Sequence, residues 1–196
     1  MTPEADGRRT SGPWTRHARR TVYENPWITV WHDEVTRPDG EPGIYGVVHF
    51  HSRAVAVVAV DDAGAILLVG QHRYTLDAYS WELPEGGVGP DESLLDGARR
   101  ELREETGFAA ATWRALCRLS LSNSVTDETG AIYVATGLVA GEAAPEATEE
   151  LALRWTPLDE VLAMIDAGEI HDVLTIAGVS RYALDRVRGS RSGGRG

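Results

Sequence analysis

Three glutamates, Glu101, Glu104 and Glu105, stand in the segment GARRELREETGF. At about 100° per residue they fall on one face of a helix, and Leu95, Ala98 and Leu102 form an apolar stripe beside them. Residues 86 to 108 hold six carboxylates against three arginines. Like charges at i,i+3 and i,i+4 repel, and burial at a core margin adds a desolvation cost, so this face calls for positive charge. Arg100 neutralises part of it. The remainder suits a hard, oxygen-preferring divalent cation such as Mg²⁺, with Mn²⁺ as the alternative. A solvated face laced with Glu/Arg pairs is the competing reading.

The elements that must position these carboxylates follow from the surrounding pattern. SWELPEGG reads as a short strand ending in glycines, Asp91 offers an N-cap, and Gly107 ends the helix. Upstream, AVAVVAV and AILLVGQHRY read as a hairpin of buried strands joined through DDAG. Downstream, ATWRALCRLSL, AIYVATGLVA and ELALRWTPL read as strands, with helices over 157–167 and 171–187. Mixed strands with a few helices indicate an α+β fold, an α/β/α sandwich. TVYENPWITVWHDEVTRPDGEPGIYGVVHF holds two β-rich runs separated by a turn signal, which predicts a small antiparallel β subdomain. The chain thus divides into a disordered tail at 1–18, a β subdomain at 19–51, a main domain at 52–188 and a disordered tail at 189–196.

Composition limits the function classes. The chain has 196 residues and a formal charge of −11, enough for one sizeable core and adverse to general nucleic-acid binding. A polyanionic substrate would need a counter-ion; that all 19 basic residues are arginine points to codon usage in a GC-rich genome and carries no functional weight. With no apolar run long enough to cross a membrane and no signal-like N-terminus, a cytoplasmic protein is expected. The single cysteine, Cys117, is read as a core thiol.

Gly86, Glu92 and the run Arg100-Glu101-Leu102-Arg103-Glu104-Glu105-Thr106-Gly107-Phe108 resemble the complete Nudix box, with its nine constrained positions filled at the correct spacing. The likeness to Nudix hydrolases extends over about residues 20 to 187. It implies Mg²⁺-dependent hydrolysis of a nucleoside diphosphate linked to another moiety, by in-line substitution at phosphorus. Carried over by position, Glu101 and Glu105 resemble the principal metal ligands, Glu104 a further one, and the Glu85 carbonyl a backbone ligand. Glu92 and Arg100 resemble architectural residues.

GQHRYTLDAYSWELPEGG resembles the ADP-ribose and nucleotide-sugar pyrophosphatase branch, in which the equivalent of Arg73 reaches a substrate phosphate or ribose. Glu82 lies where it can contact metal or its water shell. The N-terminal unit resembles the branch's extra subdomain, which implies a homodimer and aromatics that stack on the base. Tyr45, Trp27 and Trp31 are the candidates, with Tyr45 the best match. Glu128 matches an acidic position at the sugar end of the ligand. The loop APEATEE resembles the one that supplies the general base, which points to Glu149, with Glu146 and Glu150 as neighbours. Relatives acting on ADP-ribose usually carry a proline downstream of the box, and LSLSNSVTDETG has none. Other diphosphates, such as GDP-mannose or a dinucleotide, therefore stay open as substrates. A non-catalytic ADP-ribose-binding regulator is the rival from a different class.

Overall fold

The computed structural model describes residues 8–141 and 151–192, with side chains described as far as 188. The chain forms two compact units, one made of residues up to Arg53 together with Ser120–Thr129, the other of Ala54–Leu119 and Gly130 onward.

The first unit is an antiparallel sheet of β1 (Arg9–Ser11), β2 (Trp14–Glu24), β3 (Ile28–Thr36) and β4 (Pro42–Phe50), in that spatial order. The Asn25 side chain accepts from the Trp27 and Ile28 amides at 2.9 and 2.8 Å, which folds the β2–β3 turn. Gly40, at φ 88°, supplies the left-handed residue of the β3–β4 turn. Two expectations change here. Arg9–Ser11 and the residues from Trp14 on are strand and not a disordered tail, because β1 pairs with β2, the β2 backbone pairs along β3 and polar groups add to the ladder, as where His17 meets Thr36 at 2.7 Å. Sheet pairing asks for backbone donors and acceptors, which an Arg- and Thr-rich strand supplies as well as an apolar one. Segment 120–129 also belongs to this unit: the Val48 amide donates to the Val125 carbonyl at 2.9 Å, and Asp127 takes the Phe50 amide and a His49 ring nitrogen.

The second unit runs β5 (Arg53–Ala59), β6 (Ala65–Arg73), β7 (Ala78–Glu82), β8 (Glu85–Val88), α1 (Leu94–Thr106), β9 (Phe108–Ser120), β10 (Thr129–Ala140), β11 (Ala152–Pro157), α2 (Leu158–Asp166) and α3 (Val173–Ser192). One sheet has the order β8-β5-β10-β9, with β5 and β10 parallel; the other has the order β11-β6-β7. The β5–β6 hairpin predicted from the sequence does not form. Those strands enter different sheets and share only an isolated bridge between Val60 and Ile66. A run buried on both faces is suited to the interior of a sheet, and β5 is flanked there by β8 and β10, which leaves β6 no edge to pair with.

Alternate β5 residues face opposite layers. Val55, Val57 and Ala59 pack with Ala98 and Leu102 of α1, whereas Ile132, in register with Ala56, lies against Gly178 of α3. Helices therefore cover both faces of the sheet, giving the α+β, α/β/α arrangement. Cys117 is only partly buried and not a core thiol; what burial it has pushes its pKa up. Among the described residues no helix is long and apolar enough to cross a membrane. Helix α3 continues to Ser192, into the segment expected to be disordered from 189, and an Arg181–Asp185 ion pair at i,i+4 supports its second half.

Candidate active site

Helix α1 is started by Ser93, whose hydroxyl accepts from the Asp96 amide at 3.1 Å; Asp91 is not the cap. It ends at Gly107, at φ 74°. Gly97 lets α1 approach β8, since a Cβ there would lie 2.3 Å from Val88 Cγ2. The helix thereby lays its acidic face against the start of β8, at Glu85, Gly86 and Gly87.

Arg100 organises that face. Its Nε and Nη2 fork onto Glu92 at 3.1 and 3.0 Å, Nη2 also donates to the Gly87 carbonyl at 2.8 Å, and Nη1 reaches Glu101 and Glu104 at 2.7 and 3.0 Å. The Glu92 hydrogen bonds, together with those to Glu104 and Glu101, outweigh partial burial and raise the Arg100 pKa. One guanidinium thus serves three carboxylates. Glu105 is buried beneath them and accepts from the Glu85 amide at 3.1 Å. The backbone beside Gly86 makes a cradle: a Cβ at Gly86 would lie 2.2 to 2.4 Å from the Glu101 carboxyl atoms. The expected ligands Glu101 and Glu104 are thus gathered by Arg100, with Glu101 against the Gly86 backbone, whereas the carboxylates whose oxygens lie within 4.8 Å of one another among the described residues are Glu82, Glu85 and Asp172.

Beside the start of β8, Arg73 of β6 forks onto buried Glu82 and reaches Glu85 at 2.9 Å. Burial opposes the Arg73 charge, but its hydrogen bond to Glu82 and the charges of Glu82, Glu85 and Asp172 prevail and raise its pKa. Burial, then the negative charges of Asp172 and Glu82, push the Glu85 carboxyl well above the usual range, against the pull of Arg73. Asp172 was not singled out by sequence reasoning. It caps α3, accepting from the Thr175 amide at 2.6 Å, while the Thr175 hydroxyl accepts from the Leu83 amide at 2.9 Å. The available signal was an Asp placed just before the apolar run VLTIAGV, an N-cap signature that carries no chemistry by itself.

The other candidates stand in the first unit. Tyr45 donates to the Ser124 carbonyl at 2.6 Å and meets Trp14 edge-on at 5.4 Å, in a cleft of about 360 Å³ whose walls include Arg16 and Arg19. Trp31 is stacked on His49 at 4.6 Å with the Arg19 guanidinium 3.9 Å from its ring centre. Trp27 is 72% exposed. Glu128 is half-buried, and burial followed by the Asp127 charge raises its pKa. Glu146, Glu149 and Glu150 lie outside the described residues.

Comparison with known proteins bears on this site. The NUDIX domain model matches residues 50–175, and the nucleoside diphosphate sugar hydrolase N-terminal domain matches residues 14–48. The chain is 37% identical over 163 residues to an ADP-ribose pyrophosphatase of Mycobacterium tuberculosis, covering 81% of this chain and 78% of that protein. It is 34% identical over 157 residues to a CMP-5'-(N-acetyl-N-hydroxy-3-aminopropyl)phosphonate hydrolase of Streptomyces rubellomurinus, covering 79% and 75%. The crystal structure of an ADP compounds hydrolase superposes with a TM-score of 0.82 at 21% identity, covering 93% of this chain and 98% of that one, which shows a shared fold.

Proposed function

The chain belongs to the Nudix hydrolase family, and from that premise we propose that it hydrolyses the pyrophosphate bond of ADP-ribose or a related nucleoside diphosphate sugar. The products are a nucleoside monophosphate and a sugar phosphate. The single observation that carries the reading is the Glu101 carboxylate lying directly against the Gly86 backbone, with buried Glu105 accepting from the neighbouring Glu85 amide, so that two carboxylates and this stretch of backbone come together. The relative from M. tuberculosis, named as an ADP-ribose pyrophosphatase, supports the substrate class.

In this reading Glu101, Glu104 and Glu105, with the Glu85 carbonyl, hold Mg²⁺, or Mn²⁺ in its place. When bound, the cation neutralises diphosphate oxygens and lowers the pKa of the attacking water. Arg100 keeps Glu101 and Glu104 oriented. Arg73 orients the substrate's phosphate and ribose through the guanidinium surface not turned to Glu82, and Glu82 takes part by holding that guanidinium in place. Tyr45 or Trp27 stacks on the base, and Glu128 contacts the sugar end. Glu149 takes the proton from water as the oxygen attacks phosphorus, since carboxylates stabilised as anions by Mg²⁺ and Arg100 are poor bases. The protein acts in the cytoplasm as a homodimer whose interface includes the N-terminal sheet, a unit too small to bury its own aromatics.

The likeness to the S. rubellomurinus enzyme favours a second reading, a nucleoside monophosphate joined to a phosphonate. A panel of ADP-ribose, GDP-mannose, a dinucleotide and a cytidylyl phosphonate, assayed with Mg²⁺ for release of nucleoside monophosphate, tests both. ADP-ribose or a nucleotide sugar is expected to give the highest kcat/KM.

A further inference from the structure

We propose that Glu82, Glu85 and Asp172 form a binding site for a second divalent cation, distinct in its side chains from the carboxylates of α1. One carboxylate oxygen from each of the three lies within 4.8 Å of the others. Oxygens on opposite sides of a bound Mg²⁺, Mn²⁺ or Ca²⁺ stand about twice the metal–oxygen distance apart, ~4–5 Å, so the three can close on one ion with little movement.

Charge and hydrogen bonding call for such an ion. Among the described residues the positive group in ion-pair contact with this cluster is Arg73, through Glu82 and Glu85, and one guanidinium leaves three carboxylates undercompensated. Glu85 carries the independent sign. Its Oε1 takes Arg73, but its Oε2 is buried with no hydrogen-bond partner. An orphaned carboxylate oxygen away from water costs free energy that a bound cation recovers.

The ligands are also fixed in advance. The Arg73 fork holds Glu82 at the end of β7, and Asp172 is held by capping α3. The hydroxyl of fully buried Thr175 ties that cap to Leu83, the residue after Glu82. Glu85 links the two sites, since its amide donates to Glu105. The proposal rests on this side-chain geometry and not on the identity of the diphosphate.

Mn²⁺ binding to the full chain without nucleotide, counted by electron paramagnetic resonance of free Mn²⁺, tests it. The double variant Glu101→Gln/Glu105→Gln is expected to retain about one Mn²⁺ per chain. Adding Asp172→Asn to it should weaken that remaining ion at least tenfold, and Asn caps a helix as well as Asp does, so the fold should survive. Adding Glu85→Gln instead, which leaves the cap untouched, should do the same and decides the matter if the Asp172 variant does not fold. Loss of all Mn²⁺ in the Glu101→Gln/Glu105→Gln protein, or an unweakened remaining ion after Glu85→Gln, would overturn the second site.

Discussion

At the scale of single residues, the site turns on an absent methyl group. Gly86→Ala places a Cβ 2.2 Å from the Glu101 carboxyl carbon, and Glu101 is held by Arg100, so the carboxylate must leave its position. Mn²⁺ affinity should fall at least tenfold while the melting temperature changes little, the strain being confined to one side chain at the edge of the core. Unchanged Mn²⁺ affinity would show that the Gly86 cradle holds no ion. Glu128 gives a pH prediction. Its folded pKa is raised above the ordinary 4.5 by burial and Asp127, so the native state binds a proton more tightly than the unfolded chain. Stability is then lost as pH rises from about 4.5 through the folded pKa. Glu128→Gln should flatten that part of the melting-temperature profile relative to wild type, and parallel profiles would contradict the assignment. Glu101, Glu104 and Glu105 were readable because a helical period places them together within one local segment. Asp172 was not, because only the packing of α3 beside Leu83 brings it to Glu82 and Glu85.

At the scale of elements, α1 must approach β8 closely enough to bring its carboxylates to Gly86 of that strand. Gly97 permits this, and Gly97→Ala sets two effects against each other. Alanine gains up to about 1 kcal/mol in helix propensity, whereas a Cβ 2.3 Å from fully buried Val88 overpacks the core at about 1–3 kcal/mol. Val88 is branched at Cβ and cannot swing away, so overpacking wins and the melting temperature should fall; a rise would show that the helix shifts freely. The catalytic loop is tested by Glu149→Gln, expected to lower kcat by ~10²-fold or more with metal affinity unchanged. The same phenotype at Glu146 or Glu150 would keep the base in this loop, and wild-type kcat in all three would remove it. Element type was legible for α1 and for β5 and β6, since their periodicity and apolar runs are strong. Pairing was not: a strand buried on both faces carries no mark of its partner, and β5 joins β10, far along the chain, in preference to its neighbour β6.

At the scale of the whole molecule, the chain joins a four-stranded N-terminal sheet to the unit bearing the acidic helix. The extent of the first unit escaped sequence reading for two physical reasons. Its first strands are rich in Arg and Thr, so alternation of apolar residues does not announce them, and segment 120–129 joins it through Tyr45, Val48, His49 and Phe50 contacts that no local pattern encodes. If this unit forms the homodimer interface, deletion of residues 1–51 should yield a monomer or an insoluble chain. The full chain should sediment at twice its 21.3 kDa mass. A monomer at micromolar concentration would contradict the dimer. The most direct test of the account as a whole is hydrolysis of ADP-ribose by wild type and Glu105→Gln, with Mg²⁺ and with chelator, followed by release of AMP. AMP is expected from the wild type with Mg²⁺ and not with chelator, together with a loss of most turnover in a Glu105→Gln protein that remains folded. AMP release that persists in chelator, or wild-type turnover by Glu105→Gln, would contradict it.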